Sequence, residues 1–210
     1  MTLVVCGGTA TGIGKTWVGA AVLAELRRRG HTVSARKPAQ SFAADDAPSG
    51  RDAAVLAAAT GEEVEVVCAS ARSYPVPMAP PMAADALGLV APSLDELMDE
   101  VRWPEPAPEV RWLELVGGPR SPLAIDGDGV DLVARLQPDR VVLVGDAGLG
   151  TINAVLLSVA PFMELGHAPV VVLNRYDPEE DLHRRNRAWL IDRCPGPVVT
   201  EAKALADLLL

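Results

Sequence analysis

Ten consecutive residues near the start of the chain, Gly7-Gly8-Thr9-Ala10-Thr11-Gly12-Ile13-Gly14-Lys15-Thr16, carry the groups needed to hold a polyphosphate. Glycines let successive backbone N–H groups turn towards phosphate oxygens, Lys15 supplies a point charge, and the Thr16 hydroxyl is a hard ligand for Mg2+. The segment separates an apolar run, Leu3 to Cys6, from an amphipathic one, Lys15 to Arg29, so Lys15 and Thr16 open a helix whose N-terminus favours anions. The spacing is unusual: Gly8 and Gly14 are six apart, and Thr9 occupies the position of the first glycine in the standard pattern. A glycine turn that merely joined strand to helix would explain the glycines but not Lys15-Thr16. A nucleoside triphosphate with Mg2+ is the expected ligand.

Other polar residues fall where packing explains them poorly. Glu114 lies between Leu113 and Leu115 at the end of an apolar run and precedes Gly117-Gly118; a carboxylate buried there needs a cation or donors. Lys37 follows the run Thr32 to Arg36, at the end of a strand where α/β folds place ligands. Asp52 falls in the first turn of a helix and Asn153 just inside another, behind Gly148 and Gly150. Asp146, after the run Val141 to Val144, is a candidate Walker-B-like acid. His31, His167 and His183 are isolated, and Trp17, Trp103, Trp112 and Trp189 are expected to pack rather than form a stacking platform.

These residues require a particular scaffold. β-Branched runs at Leu3–Cys6, Thr32–Arg36, Val110–Leu115, Arg140–Gly145 and Pro169–Leu173 alternate with helical patterns at Lys15–Arg29, Arg51–Ala59, Leu94–Val101 and Thr151–Leu165. Such alternation predicts an α/β fold, three layers with a mostly parallel central sheet flanked by helices, as in P-loop NTPases. Residues 1–210 are expected to form a single domain. The proline-rich stretches Tyr74–Pro81 and Pro104–Pro108 read as loops.

Composition excludes several classes. With 49% apolar and 22% charged residues the chain is globular, and 28 acidic against 19 basic residues, net charge −9, leave no basic stripe for nucleic acid. No apolar stretch approaches the ~20 residues of a membrane span, and Met1–Gly8 lacks a signal peptide's basic start, so a cytoplasmic protein is expected. Cys6, Cys68 and Cys194 match neither a disulfide framework nor a zinc site and read as buried thiols.

Taken in order, the motifs resemble the dethiobiotin synthetase family. The loop Gly8 to Thr16 is similar to that family's Gly-Thr-x-Thr-x-x-Gly-Lys-Thr. Lys37-Pro38-Ala39-Gln40-Ser41 resembles its Lys-Pro-x-x-Ser, Arg51-Asp52-Ala53 its helix-start aspartate, and Tyr74 to Pro80 its Pro-x-Ala-Pro loop. Glu114 to Gly118 with Pro122-Leu123 resembles Glu-Gly-Ala-Gly-Gly…Pro-Leu. Gly148 to Asn153 is similar to Leu-Gly-x-Ile-Asn, and Leu173-Asn174-Arg175 to the strand-end asparagine.

The resemblance implies an ATP-dependent cyclo-ligase that converts 7,8-diaminopelargonate and CO2 or bicarbonate to dethiobiotin through a carbamate and its phosphoric anhydride. It implies catalytic roles for Lys15, Lys37 and Thr11, and metal contacts from Thr16, Asp52 and Glu114. Nucleotide contacts are implied for Gly12, Ile13, Gly14, Lys15, Thr16, Trp17, Asp52, Glu114, Gly117, Asn174 and Arg175. Substrate contacts are implied for Thr11, Lys37, Ser41 and, from across a homodimer interface, Gly150, Thr151, Ile152 and Asn153.

Three positions depart from the family pattern. Phe42 replaces a glycine beside Ser41, Leu115-Val116 replace Gly-Ala after Glu114, and no Gly-x-x-Pro base-binding loop is evident in Pro195–Leu210. These leave room for a member diverted to another amine. A partitioning or switch ATPase is the alternative of a different class, but its second loop lysine, Lys-Gly-Gly-x-Gly-Lys, is missing here.

Overall fold

A computed structural model describes residues 1–210. Ten strands are present: β1 (Thr2–Gly8), β2 (Val33–Arg36), β3 (Gln40–Ser41), β4 (Ser73–Tyr74), β5 (Val110–Glu114), β6 (Pro122–Ala124), β7 (Gly127–Asp128), β8 (Arg140–Asp146), β9 (Val170–Asn174) and β10 (Val198–Val199). The nine helices are α1 (Lys15–Arg28), α2 (Asp52–Thr60), α3 (Val64–Val67), α4 (Pro80–Ala86), α5 (Leu94–Glu100), α6 (Gly129–Leu136), α7 (Thr151–Glu164), α8 (Asp181–Ile191) and α9 (Ala202–Leu209).

Six strands form one sheet in the order β10-β9-β8-β1-β5-β2, with every pairing parallel. The apolar runs that predict strands are apolar on both faces because helices cover both. One face packs Leu113, Leu143, Leu173 and Phe162; the other packs Val4, Cys6, Trp112 and Leu23. This is the three-layer, P-loop NTPase-like α/β architecture expected from the sequence.

Register places the chemistry. Cys6 pairs with Glu114, which sets the carboxylate beside the start of the glycine loop, and Asp146 pairs with Asn174. The chain passes from β1 out to β2, returns to β5, and crosses to the far side of β1 at β8, so the sheet order reverses around β1. Crevices at the carboxyl ends of strands around such a reversal are where α/β folds bind ligands.

Several expectations need correction. The stretch Tyr74–Pro81 is not all loop: Tyr74 ends β4 and Pro80-Pro81 begin α4, because a first-turn proline loses no hydrogen bond. Trp112 is fully buried, but Trp17 is 66% exposed and Trp189 47% exposed, on the outward faces of α1 and α8. The Arg193 guanidinium stands over the Trp189 ring, 3.5 Å from its centroid. Cys6 and Cys68 are buried, whereas Cys194 is half-buried. No helix is long and apolar enough to cross a membrane.

Candidate active site

The glycine loop joins β1 to α1 with its first-turn amides unclaimed. Gly14 caps α1 at φ 92°, no side chain caps the helix, and no acidic residue stands in its first turn. By contrast α5 and α6 carry full capping boxes from Ser93 and Asp128. An uncapped N-terminus facing a cavity leaves N–H groups and a positive dipole for an anion. Gly14 is required twice over: its φ is left-handed, and a Cβ there would lie 2.1 Å from Asn174 Nδ2. That amide donates to Ile13 O at 2.9 Å, so β9 holds the loop from behind.

Beside the loop lies a cavity of about 580 Å3. Thr11, Gly12, Gly14, Lys15, Thr16 and Trp17 line one side, and Lys37, Ser41, Asp52 and Gly117 face them. Val55, Met78, Pro80 and Val116 add an apolar wall. Ser41 Oγ donates to Met78 O at 2.6 Å, which ties the segment after Lys37 to the proline-rich loop.

At the cavity floor three elements converge on one charge cluster. Glu114, from the end of β5, is completely buried and lies beneath the cavity lining rather than in it; Lys37, after β2, is 2% exposed and does line the cavity. Lys37 Nζ lies 2.7 Å from Glu114 Oε1 and 2.8 Å from Asp52 Oδ2, and it also donates to Leu115 O at 3.2 Å. The Thr16 hydroxyl stands 2.7 Å from both Asp52 Oδ1 and Glu114 Oε1. Burial by itself would pull the Lys37 ammonium down, but the two carboxylates outweigh it and hold its pKa above the ordinary lysine range. Burial would likewise raise Asp52, yet Lys37 and the Thr16 hydroxyl hold it below the usual aspartate value. Lys15 is lowered, first by burial and then by the like charge of Lys37.

Glu114 Oε2 is buried without any hydrogen-bond partner. An orphaned carboxylate oxygen beside a hydroxyl and a second carboxylate makes a donor set of the hard, all-oxygen type that Mg2+ takes. No three His, Cys, Asp or Glu side chains are placed together so that they alone could hold a metal ion. A cation at this floor would therefore share its shell with phosphates and water, as Mg2+ in nucleotide sites does.

Other expected residues lie elsewhere. Gly150, Thr151, Ile152 and Asn153 line no part of the cavity; they open α7, whose first turn, like that of α1, has neither a capping side chain nor an acid. Asn174 and Arg175 sit behind the loop, Asn174 on Ile13 O and Arg175 on Gly12 O at 3.2 Å. Asp146 does not reach Thr16, whose carboxylate partners are Asp52 and Glu114; it pairs with Arg175 at 3.2 Å, so the Walker-B-like reading is replaced. Leu115 points into the core, fully buried, and only Val116 of that pair meets the cavity. The Phe42 ring lies under the Arg51 guanidinium at 3.9 Å. None of the three histidines lines the cavity.

Sequence reading missed Gln40 and Ser121, both in the cavity wall. Gln40 binds across to Ser73 Oγ and accepts from Ala53 N, fixing the start of α2. Its place between Lys37 and Ser41 was the available signal. Nothing local marks Ser121, which accepts from Gly118 N and shapes the glycine turn after Glu114.

Comparison with known proteins settles the family. A family model described as an AAA domain matches residues 2–203. An ATP-dependent dethiobiotin synthetase BioD from Xanthomonas oryzae pv. oryzae is 34% identical over 194 residues, covering 90% of this chain and 85% of its own. The chain belongs to the dethiobiotin synthetase family. Dethiobiotin synthetases from Haloferax mediterranei and Rhodococcus erythropolis match similarly, at 35% over 203 residues and 34% over 202. They cover 92% and 95% of this chain and 80% and 87% of their own. A solved DUF1611 family protein from Anabaena variabilis shares the fold, with TM-score 0.52 and 16% identity over 99% of this chain and 57% of that one.

Proposed function

We propose that this chain is an ATP-dependent dethiobiotin synthetase of the cytoplasm. It carboxylates one amine of 7,8-diaminopelargonate with CO2 or bicarbonate and transfers a phosphoryl group to the carbamate oxygen. The second amine then attacks the carbamate carbon and displaces phosphate, closing a cyclic urea. The observation that carries this reading is the meeting of an uncapped phosphate loop with the buried Lys37 in a single cavity that also has an apolar wall.

Phosphoryl transfer between oxygens needs positioning and charge neutralisation more than covalent help from the protein. The amides of Gly12, Ile13 and Gly14 and the Lys15 ammonium receive the phosphates. Thr16, Asp52 and Glu114 hold Mg2+, which when bound neutralises charge on the phosphate oxygens. Lys37, fixed by its contacts with Glu114 and Asp52 at 2.7 and 2.8 Å, supplies the cation that stabilises charge on the carbamate oxygen. Thr11 positions the carbamate, and Ser41 and Gly117 border it. Val55, Met78, Pro80 and Val116 cover the aliphatic chain. Trp17 lies against the nucleotide, while Asn174 and Arg175 brace from behind the loop that receives it, through Ile13 O and Gly12 O.

The α7 terminus, Gly150 to Asn153, takes the substrate carboxylate of a second subunit in a homodimer. Its uncapped first turn, its place outside the cavity, and the 92% exposure of the adjoining Leu149 support that role. The test is phosphate release from ATP and Mg2+ with bicarbonate: release stimulated by 7,8-diaminopelargonate is expected, and hydrolysis indifferent to the diamine would overturn the reading.

A further inference from the structure

The nucleotide loop and the start of α7 are joined by one unbroken line of polar contacts that passes outside the cavity. Arg175 Nη2 donates to Gly12 O at 3.2 Å while Nη1 lies 3.2 Å from Asp146 Oδ2. The other carboxylate oxygen of Asp146 accepts from Gly148 N at 2.9 Å, and its main-chain oxygen accepts the Thr151 hydroxyl at 2.5 Å. Gly148 and Thr151 are the turn and the first residue of α7. From α8, the buried Asn186 donates to both Ala147 O and Gly148 O at 2.9 Å, so this turn is held against the body of the protein.

Two features mark the Arg175 link as more than surface decoration. Arg175 holds φ 57°, a left-handed conformation that a non-glycine residue keeps only when its surroundings enforce it. Gly12, at the loop apex with φ 71°, has no atom within 4 Å of where a Cβ would stand. The Arg175 guanidinium thus grips by its carbonyl a loop apex that is otherwise open on its side-chain side. Loop amides that turn inward to meet phosphates turn carbonyls outward, and Gly12 O is the carbonyl this guanidinium holds.

We infer that Asp146 and Arg175 are positioning residues that couple phosphate capture by the glycine loop to the order of the α7 N-terminus. Neither belongs to the cavity wall. As a stability element the pair is weak, since its side chains are 40% and 62% exposed and exposed ion pairs contribute little. Its effect is on the coupling between two anion-binding helix termini, the one that receives phosphates and the one that receives a carboxylate. The identity of that carboxylate rests on the proposed function; the coupling itself does not.

The experiment is hydrogen exchange on the full chain, read in the peptide spanning Ala147 to Leu156, with and without Mg2+ and a non-hydrolysable ATP analogue at saturation. In the parent protein the analogue is expected to slow exchange there about three- to tenfold. Asp146→Asn keeps the acceptor for Gly148 N but loses the charge facing Arg175, and Arg175→Gln loses the bridge; in both the slowing should vanish at saturating analogue. Equal slowing in parent and variants, or none in the parent, would overturn the inference. Calorimetry adds a second readout: the analogue should tighten 7,8-diaminopelargonate binding about fivefold or more in the parent and leave it unchanged in Asp146→Asn. If the parent binds no diamine at all, the substrate reading fails while the exchange experiment still decides the coupling.

Discussion

Replacing Lys37 with methionine is expected to cost the folded protein far more than a surface lysine would. Glu114 has no solvent exposure, and its Oε1 keeps only the Thr16 hydroxyl once Lys37 is gone, while Oε2 has no partner at all. Removing one member of a buried ion pair leaves an uncompensated charge, a loss of about 3–5 kcal/mol. Against the ~5–15 kcal/mol of a typical domain that is a large fraction. Asp52 is 40% exposed, so its loss of Lys37 adds little. Glu114→Gln, which leaves Lys37 paired with Asp52, should cost only about 1–3 kcal/mol. The double variant Lys37→Met/Glu114→Gln should recover at least ~2 kcal/mol relative to the sum of the singles, because no buried charge remains unpaired. Equilibrium urea unfolding without ligands reads all four proteins. A Lys37→Met midpoint within about 1 kcal/mol of the parent, or strict additivity in the double variant, would refute the view that this cluster is a desolvated, mutually dependent unit.

Gly14→Ala places a Cβ 2.1 Å from Asn174 Nδ2 in a left-handed residue, so the Asn174 bond to Ile13 must break; nucleotide affinity should fall roughly 30- to 100-fold, measured by calorimetry, and an unchanged affinity would contradict it. Trp17, 66% exposed at the loop, should report nucleotide binding as a fluorescence change that is absent in Trp17→Phe, whereas an identical signal in the variant would assign it to another indole. Thiol labelling at neutral pH should modify Cys194 first and Cys6 and Cys68 only on unfolding, since burial pushes the Cys68 thiol up to about 12 and raises Cys6 as well; equal rates for all three would contradict that burial.

The order of strands and helices was legible because a buried parallel strand and an amphipathic helix leave different periodicities. Leu3–Cys6, Val110–Leu115 and Lys15–Arg29 each appear within two residues of their expected bounds. Glu114 was legible as a buried carboxylate in need of a cation because leucines flank it, and Lys37 is that cation. What could not be read were the long-range partners. That Thr16 meets both Asp52 and Glu114 was available only through the family resemblance, because the meeting depends on sheet order and no local pattern encodes β5 lying beside β1. The Arg175 contact with Asp146 likewise follows from β8–β9 register. Trp17 was misjudged because aromatic character argues for burial, whereas its position on the outward turn of α1 decides otherwise.

The most direct test of the account follows carbon. With ATP, Mg2+ and isotopically labelled bicarbonate, the protein should convert 7,8-diaminopelargonate to a cyclic urea that carries the label, one phosphate released for each ring formed, with CTP and GTP run in parallel to name the base. Labelled dethiobiotin in that ratio is the predicted result. Phosphate release without label in any urea product would mean that the cavity binds nucleotide but performs a different reaction.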